Sequence, residues 1–404
     1  MSDPASHPIE ATRLQLNLRI LSIALYNFAS YMAIGLPLAV LPGYVHDVMG
    51  FSAFWAGLVI SIQYFATLLS RPHAGRYADL WGAKRVVMWG LGLSTLSGLC
   101  YLLAFSLLQT PVLSLTILCA GRLLLGCGQS FTGTGSTLWG VSSVGSLHIG
   151  RVISWNGVVT YGAMAIGAPL GVVIYQFGGI MILASVITSI TLIALLLVLP
   201  RHAVRSASKG HPMPFRLVLQ RVWRYGLLLA MGSAGFGVIA TFITLFYQAQ
   251  GWQGGAYALA LFSVAFVGVR LVFPNVINRY GGLSVALVCF AIEALGLLMV
   301  WGAVNPWMAN VGALLTGAGF SLVFPAIGVV AVKAVPQQNQ GSALATYTVF
   351  MDMALGITGP LAGLAMSYAG VSIPYLAGAV LAIAALGITL KMRQQQQSGQ
   401  ESKA

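Results

Sequence analysis

Four ionisable side chains stand inside long apolar stretches of the chain, where charge is costly and a functional role is the default hypothesis. They are Arg122, Arg270, Glu293 and Asp352. A carboxyl group in such surroundings favours its protonated form until water or a cation reaches it, so it can take up and release protons. A guanidinium held there can bind an anion or modulate a nearby carboxylate.

Asp352 is the first candidate for proton coupling because it lies near the middle of its apolar stretch. Glu293 is a second candidate, with helix packing as its alternative role. Three roles stay open for Arg122: anchoring an anionic group, tuning Asp352, or binding backbone carbonyls of neighbouring helices. Arg270 lies within two turns of the end of its stretch, so we expect an interfacial or loop-clamping role for it.

The segments that contain these side chains are predicted to be transmembrane helices. Only 7% of the 404 residues are charged and 58% are hydrophobic, whereas soluble domains have roughly 25% charged residues. Runs of about 20 mostly apolar residues, the length of a membrane helix, occur twelve times. The sequence therefore predicts an all-α membrane protein of twelve transmembrane helices, in two six-helix pseudo-repeats. The twelve spans are 18–43, 55–75, 86–108, 112–138, 152–175, 180–199, 224–247, 256–275, 283–304, 308–332, 341–368 and 372–391.

The basic residues order these spans across the membrane. Lys and Arg are absent from the loops after odd-numbered spans and concentrate after even-numbered spans and in the termini, which predicts cytoplasmic termini. The net charge of +13 is thus attributed to membrane orientation, and no nucleic acid partner is expected. The predicted regions are a cytoplasmic tail at 1–17, six-helix halves at 18–199 and 224–391, a basic linker at 200–223, and a Gln-rich disordered tail at 392–404.

An internal repeat relates the two halves. Residues 71–83 align with 270–282 at a constant offset of 199, and both copies are assigned to the loop after the second span of their half. A second, shorter repeat relates residues 167–171 to residues 359–363. Such parallel repeats are typical of transporters with a binding site between the halves. The first alignment pairs Arg71 with Arg270, Asp79 with Asn278 and Gly82 with Gly281.

Three motifs resemble signatures of the major facilitator superfamily, and the resemblance covers nearly the whole chain. The motifs are Gly75-Arg-Tyr-Ala-Asp79-Leu-Trp-Gly82-Ala-Lys84-Arg85, Arg122-x-x-x-Gly126-x-Gly128, and Gly167-Ala-Pro169 with its copy at Gly359-Pro360. More narrowly, the chain is similar to the YhhS/YfcJ-type subgroup of bacterial inner-membrane transporters, which implies export. It departs from the family pattern at Leu80, where a basic residue usually stands, and at Asn278, where the second copy lacks the acid.

The resemblance implies alternating access, with Asp79 contacting the start of span eleven as a conformational latch. The predicted latch residues are Gly75, Asp79, Gly82, Lys84, Arg85, Gly167, Pro169, Gly359 and Pro360. Residues in the spans that line the cavity of this fold are predicted to contact the solute. They are Asn27, Tyr31, Gln63, Arg122, Gln129, Asn156, Tyr161, Phe236 and Tyr347.

The predicted function is secondary active transport, specifically proton-coupled export (antiport) of a small organic solute. A sugar or metabolite symporter or uniporter of the same fold is the alternative. No P-loop, G-x-S-x-G or H-E-x-x-H motif occurs, and the four cysteines form no C-x-x-C pair, so neither an enzyme, a cofactor nor a metal site is expected. The expected partners are a small-molecule solute, protons and the lipid bilayer, and the protein is expected to be a monomer.

Overall fold

The computed structural model describes residues 13–145, 148–204, 215–273, 275–336 and 339–401. Within these ranges it leaves out the side chains of residues 13, 79, 149, 150, 154, 165, 215, 340, 341 and 399–401. Helices and short turns make up this part of the chain, which contains no strand. The predicted all-α fold is confirmed.

Eleven helices among the described residues are long and apolar enough to cross a membrane. The first four are α1 (Arg13–Leu38), α2 (Ala53–Trp81), α3 (Ala83–Ser106) and α4 (Pro111–Val144), with the short turns Leu41–Gly43 and Tyr44–Val48 between α1 and α2.

The fifth helix, Ile149–Val198, is too long for one crossing. Its 50 residues extend about 75 Å at 1.5 Å per residue, whereas the hydrocarbon core of a bilayer is about 30 Å thick. Gly179 interrupts it with φ 71° and ψ −175°, a conformation that glycine adopts without strain. We label the two segments α5 (149–178) and α6 (180–198).

The remaining helices follow in the same manner. They are α7 (Phe215–Ala249), α8 (Gly255–Val272), α9 (Gly282–Trp301), α10 (Pro306–Ser321 continued by Val323–Lys333), α11 (Gln340–Ala369) and α12 (Ile373–Glu401), with the short helix Val276–Tyr280 between α8 and α9.

Several predicted boundaries shift because helices extend beyond their apolar spans. The loop assigned to 71–83 is wrong for most of its length, since α2 continues to Trp81. The Gln-rich tail is helical to Glu401, because glutamine has good helix propensity and elongating a helix costs less than starting one. The predicted linker ends early, since α7 begins at Phe215, and its residues 205–214 lie outside the described part of the chain.

The repeated glycines of the two halves form the same turn. Gly82 joins α2 to α3 with φ 89° and ψ 147°, and Gly281 precedes α9 with φ 81° and ψ 151°. Residues with a Cβ are strained at these angles, so glycine is required at both positions. The sequence repeat is therefore also a repeat of backbone geometry.

The N-terminal helices contact the C-terminal ones mainly through two helix pairs. Helix α2 packs against α11, and α5 packs against α8. Glycines bring α2 and α11 close together: a Cβ at Gly57 would overlap the carbonyl of Gly359, and a Cβ at Gly363 would lie 2.5 Å from the carbonyl oxygen of Ala53. Small residues of this kind allow membrane helices to approach closely.

The outer surface is apolar on α3, α6, α9 and α12. Leu103, Ile193, Val288 and Val380, one from each of these helices, are between 51% and 59% exposed. Large apolar side chains exposed on several helices suit contact with lipid rather than water. The polar groups discussed below lie on the opposite faces, where the helices contact each other.

Candidate functional site

An ion pair connects α2 to α11. Arg71 Nε donates to Asp352 Oδ2 at 2.6 Å, and the two side chains are 21% and 3% exposed. No other ion pair occurs between described side chains. The mid-span carboxylate predicted from the sequence therefore has a cationic partner on the other side of the interface between the two halves of the chain.

Sequence reasoning assigned Arg71 to a cytoplasmic loop and missed its pairing. The residue lies inside α2, and Pro72 does not end the helix, although proline lacks the N–H that a helix interior normally uses. The alignment of Arg71 with Arg270 contained a signal, because it placed a basic residue at the same position of both halves.

Polar residues of three other helices, α1, α4 and α5, lie near this ion pair. Gln129 Nε2 donates to the hydroxyl of Tyr31 at 2.9 Å. Gln129 Oε1 lies 3.3 Å from Thr67 Oγ1, whose single proton has nearer acceptors in the carbonyls of Gln63 and Gly126. Tyr31 and Tyr161 both interact electrostatically with Arg71 and Asp352. Of the predicted cavity residues, Tyr31 and Tyr161 thus lie within electrostatic range of the pair, and Gln129 is hydrogen-bonded to Tyr31.

Arg270 extends from α8 toward α5 and binds a backbone carbonyl of α10, and the interfacial or loop-clamping role expected from its position stays a prediction. Its Cζ lies 4.4 Å from the ring centroid of Tyr161 and 4.7 Å from that of Phe266. Its Nε and Nη2 donate to the carbonyl oxygen of Ser321 at 3.0 and 2.8 Å. No helical N–H donates to that carbonyl, because the donor would come from residue 325, which is proline and has no N–H.

Arg122 has the surroundings of a structural residue. Its side chain is fully buried, and it donates to Val59 O at 2.9 Å, Ile60 O at 3.2 Å and the Tyr101 hydroxyl at 3.3 Å. All three guanidinium nitrogens therefore have acceptors in α2 or α3. Of the roles left open by the sequence, these contacts favour the one on backbone carbonyls of neighbouring helices.

Other predicted cavity residues bind between helices. Asn27 Nδ2 donates to Thr160 Oγ1 at 2.8 Å, and Asn156 Nδ2 donates to Thr137 Oγ1 at 2.9 Å. Gln63 is fully buried in α2. The first two contacts fasten α5 to α1 and α4, so their geometry is that of packing contacts.

The predicted aromatic residues belong to one cluster beside Arg270. Phe236 stacks on Phe262 and Phe320, with ring centroids 5.7 and 5.2 Å apart. Tyr347 donates its hydroxyl to the carbonyl of Phe324 at 3.1 Å, and the Phe324 ring contacts Tyr161 at 5.8 Å. The cluster thus extends from α7 to α11.

Glu293 lies apart from the Arg71–Asp352 pair, on the inward face of α9. Its side chain is fully buried, and neither carboxylate oxygen has a hydrogen-bond partner within the described structure. A Cβ at Gly235 of α7 would lie 2.6 Å from Glu293 Oε1. The contacts are those of helix packing, and they place no cation or donor against the carboxyl group.

The predicted latch residues are only partly described. Asp79 lies in α2, but its side chain is outside the described part of the structure, so its latch role stays a prediction. Lys84 Nζ donates to the carbonyl of Leu199 at 2.8 Å, which ties the start of α3 to the end of α6, and Arg85 is exposed. A Cβ at Gly75 would contact nothing within 4 Å.

The other predicted latch residues lie inside helices. Pro169 is within α5 and Pro360 is within α11. A Cβ at Gly167 would lie 3.0 Å from Gly35 of α1, and Gly359 contacts α2 as described above. Both glycine–proline segments therefore lie at close helix–helix contacts.

Comparison with known sequences identifies the family to which this chain belongs. The sequence model of the Major Facilitator Superfamily matches residues 23–284 and 256–404. The chain belongs to the major facilitator superfamily. It is 68% identical over 393 residues to the MFS-type transporter YhhS of Shigella flexneri and of Escherichia coli (strain K12). These alignments cover 97% of this chain and 96% of each relative, and they confirm the predicted YhhS-type subgroup.

Solved structures show the same fold. The nucleoside transporter NupG is similar with a TM-score of 0.72, covering 93% of this chain and 99% of that one. The human organic anion transporter MFSD10 is similar with a TM-score of 0.68, covering 92% and 99%. Both are 15% identical in sequence, so the likeness concerns the fold alone. Together with the family, it identifies this chain as a multi-pass membrane transporter.

Proposed function

We propose that this protein is a secondary active transporter that exports a small organic solute in exchange for protons. In this proposal the chain crosses the bacterial inner membrane twelve times, as two six-helix repeats with both termini in the cytoplasm, and it works as a monomer. The 50-residue helix interrupted at Gly179 supplies two of the crossings. The positions of the basic residues support the orientation.

The ion pair between Arg71 and Asp352 is the observation that carries the proton-coupling part of the proposal. It connects helices of different halves, and its carboxylate is almost fully buried. Breaking a buried ion pair by neutralising one partner is costly, because the other charge is left uncompensated. Protonation of Asp352 therefore removes an attraction that holds α2 against α11.

Contacts along α2 and α11 make this attraction relevant to alternating access. Ser61 Oγ donates to the carbonyl of Leu355 at 2.9 Å, between the ion pair and the glycine contact at Gly57 and Gly359. The helices thus meet at several levels, and access from either side requires some of these contacts to open. We propose that, among these contacts, the ion pair is the one that responds to protons.

The loop signature completes the proposed cycle. We propose that Asp79, with Gly75, Gly82, Lys84 and Arg85, forms the latch that holds one of the two end states. The hydrogen bond of Lys84 to the end of α6 supports a role for this segment in joining helix ends. Asp79→Asn is expected to shift the resting population toward the inward-open state, which cysteine accessibility on the two sides would report.

Proteoliposomes containing a pH-sensitive dye test proton coupling with a panel of metabolites as solutes. For any solute that drives proton flux through the wild-type protein, Asp352→Asn is expected to abolish that flux. Solute exchange, measured as counterflow of labelled against unlabelled solute, is expected to continue because it requires no net proton movement. Retained exchange shows that the variant is folded.

Glu293→Gln is the matched control, because it neutralises another fully buried membrane carboxyl without changing its size. We expect it to retain proton flux, since Glu293 has no cation beside it. Solute-driven proton flux at the wild-type rate in Asp352→Asn would refute the coupling role. Loss of flux in Glu293→Gln alone would move that role to α9.

A further inference from the structure

Arg270 has a positive charge that no described carboxylate offsets. Its guanidinium lies between the rings of Tyr161 and Phe266. The Nε and Nη2 groups both donate to one oxygen, the Ser321 carbonyl. This edge of a guanidinium is the one that binds two oxygens of a carboxylate or phosphate side by side. A single neutral carbonyl uses only part of that capacity.

The charges around Tyr161 do not balance. Tyr161 interacts electrostatically with Arg270, Arg71 and Asp352, and the last two neutralise each other. The described side chains at this position therefore hold two cations and one carboxylate. Arg122 is not among the charged groups that act on Tyr161, and each of its guanidinium nitrogens already donates to an acceptor in α2 or α3.

An apolar cavity adjoins the uncompensated cation. Tyr161 and Phe266, the two rings on Arg270, also line this cavity. The rest of its wall is almost entirely apolar, with one hydroxyl from Ser263. In this conformation the cavity has room for about one water molecule, so an organic solute enters it only when the helices that line it move apart.

We propose that the transported solute is an amphipathic organic anion. Its carboxylate or phosphate replaces the Ser321 carbonyl on Arg270 Nε and Nη2, and its apolar body lies against Tyr161 and Phe266 in the state in which the helices lining the cavity have moved apart. The inference rests on the proposed transport function, whose substrate class it specifies. It concerns binding, so it is tested separately from proton coupling.

The test uses thermal shift and equilibrium binding on the purified full-length protein in detergent. The probes share one apolar body: 1-naphthoate and 1-naphthyl phosphate as anions, 1-naphthamide as the neutral form, and 1-naphthylmethylammonium as the cation. We expect at least one anion to raise the Tm, and the neutral and cationic probes to have little effect. Arg270→Gln should weaken anion binding about 10- to 100-fold, the loss of hydrogen bonds to a charged group.

Two further variants keep the test decisive. Arg270→Lys keeps the charge and loses the planar fork, so we expect intermediate affinity, and it replaces the glutamine variant where that one fails to fold. Arg279→Gln is the control, because Arg279 also lies over a ring, that of Tyr280 at 5.2 Å, but is exposed between α8 and α9. It should bind the anions like the wild-type protein.

The outcomes separate this inference from the proposed function. It is overturned when no anion stabilises the protein more than the amide does, or when Arg270→Gln and Arg270→Lys bind anions as tightly as the wild type. Arg270-dependent anion binding supports it even where Asp352→Asn keeps full proton flux, a result that would refute only the coupling role.

Discussion

Arg71 and Arg270 lie 199 residues apart in the sequence and occupy corresponding places in the two halves. Arg71 reaches from α2 to Asp352 on α11, and Arg270 reaches from α8 to Tyr161 on α5. The first partner is a carboxylate, to which we assign proton exchange, and the second is an aromatic face without a titratable carboxyl. In our proposals, corresponding arginines therefore serve proton coupling in one half and anion binding in the other.

Arg122 is expected to support the fold rather than the transport reaction. Arg122→Lys keeps the charge but supplies one nitrogen for three acceptors, Val59 O, Ile60 O and the Tyr101 hydroxyl. Losing hydrogen bonds to a charged group costs about 1.5–3 kcal/mol each, so we expect a clearly lower Tm and lower abundance. Scanning fluorimetry on the purified variant measures the loss.

The same variant should retain function in each molecule that folds. Solute-driven proton flux, normalised to folded protein, and its dependence on pH are expected to match the wild type. A shifted pH profile at normal thermal stability would contradict the structural role and restore the role of modulating Asp352.

At the scale of helices, the α2–α11 contact depends on glycine. A Cβ at Gly359 would overlap Ser61 Oγ and lie 2.5 Å from the carbonyl oxygen of Gly57. Gly359→Ala therefore forces the two backbones apart, and overpacking of this kind typically costs about 1–3 kcal/mol. We expect the equilibrium between the outward-open and inward-open states to shift about tenfold. Labelling of a cysteine placed at the N-terminal end of α2, near Ala53, measures this shift.

Gly387→Ala provides the comparison for that variant. Gly387 lies inside α12, and a Cβ there would contact nothing within 4 Å, so labelling should stay at the wild-type level. Equal labelling in both variants would show that the glycine contact does not hold the α2–α11 interface closed.

Sequence patterns predicted the apolar helices well because their length and composition are set by the bilayer. They predicted their ends less well, because helix propagation through polar residues depends on packing that a hydropathy pattern does not contain. Asp352 was found because a carboxyl in an apolar run is conspicuous. Its partner Arg71 was missed because Pro72 and the polar residues after it suggested a loop, and inter-helix pairing requires the fold.

For the whole molecule, the number of membrane crossings depends on whether the chain reaches the membrane surface at the Gly179 break between α5 and α6. If α5 and α6 are separate spans, Gln176 lies at a membrane surface opposite to Arg201, and both residues are exposed. In a variant lacking the four native cysteines, Gln176→Cys should react with an impermeant thiol reagent from the periplasm. Arg201→Cys should react only after the membrane is permeabilised.

Two results would contradict this topology. One is labelling of both positions from the same side, and the other is protection of Gln176→Cys on both sides. The second would mean that Gly179 bends a buried helix without returning the chain to the surface.

The proposed binding of an anion at Arg270 has a consequence for how transport responds to voltage. Moving one elementary charge through 100 mV is worth about 2.3 kcal/mol. Exchange of an inward proton for an outward monovalent anion transfers two charges in the same electrical direction, so an inside-negative potential drives both. In vesicles clamped with potassium and valinomycin, we expect efflux of the anion to accelerate as the interior becomes more negative, with two charges moved per cycle. An unchanged rate would contradict this, because it would indicate electroneutral exchange, such as one proton against one monovalent cation.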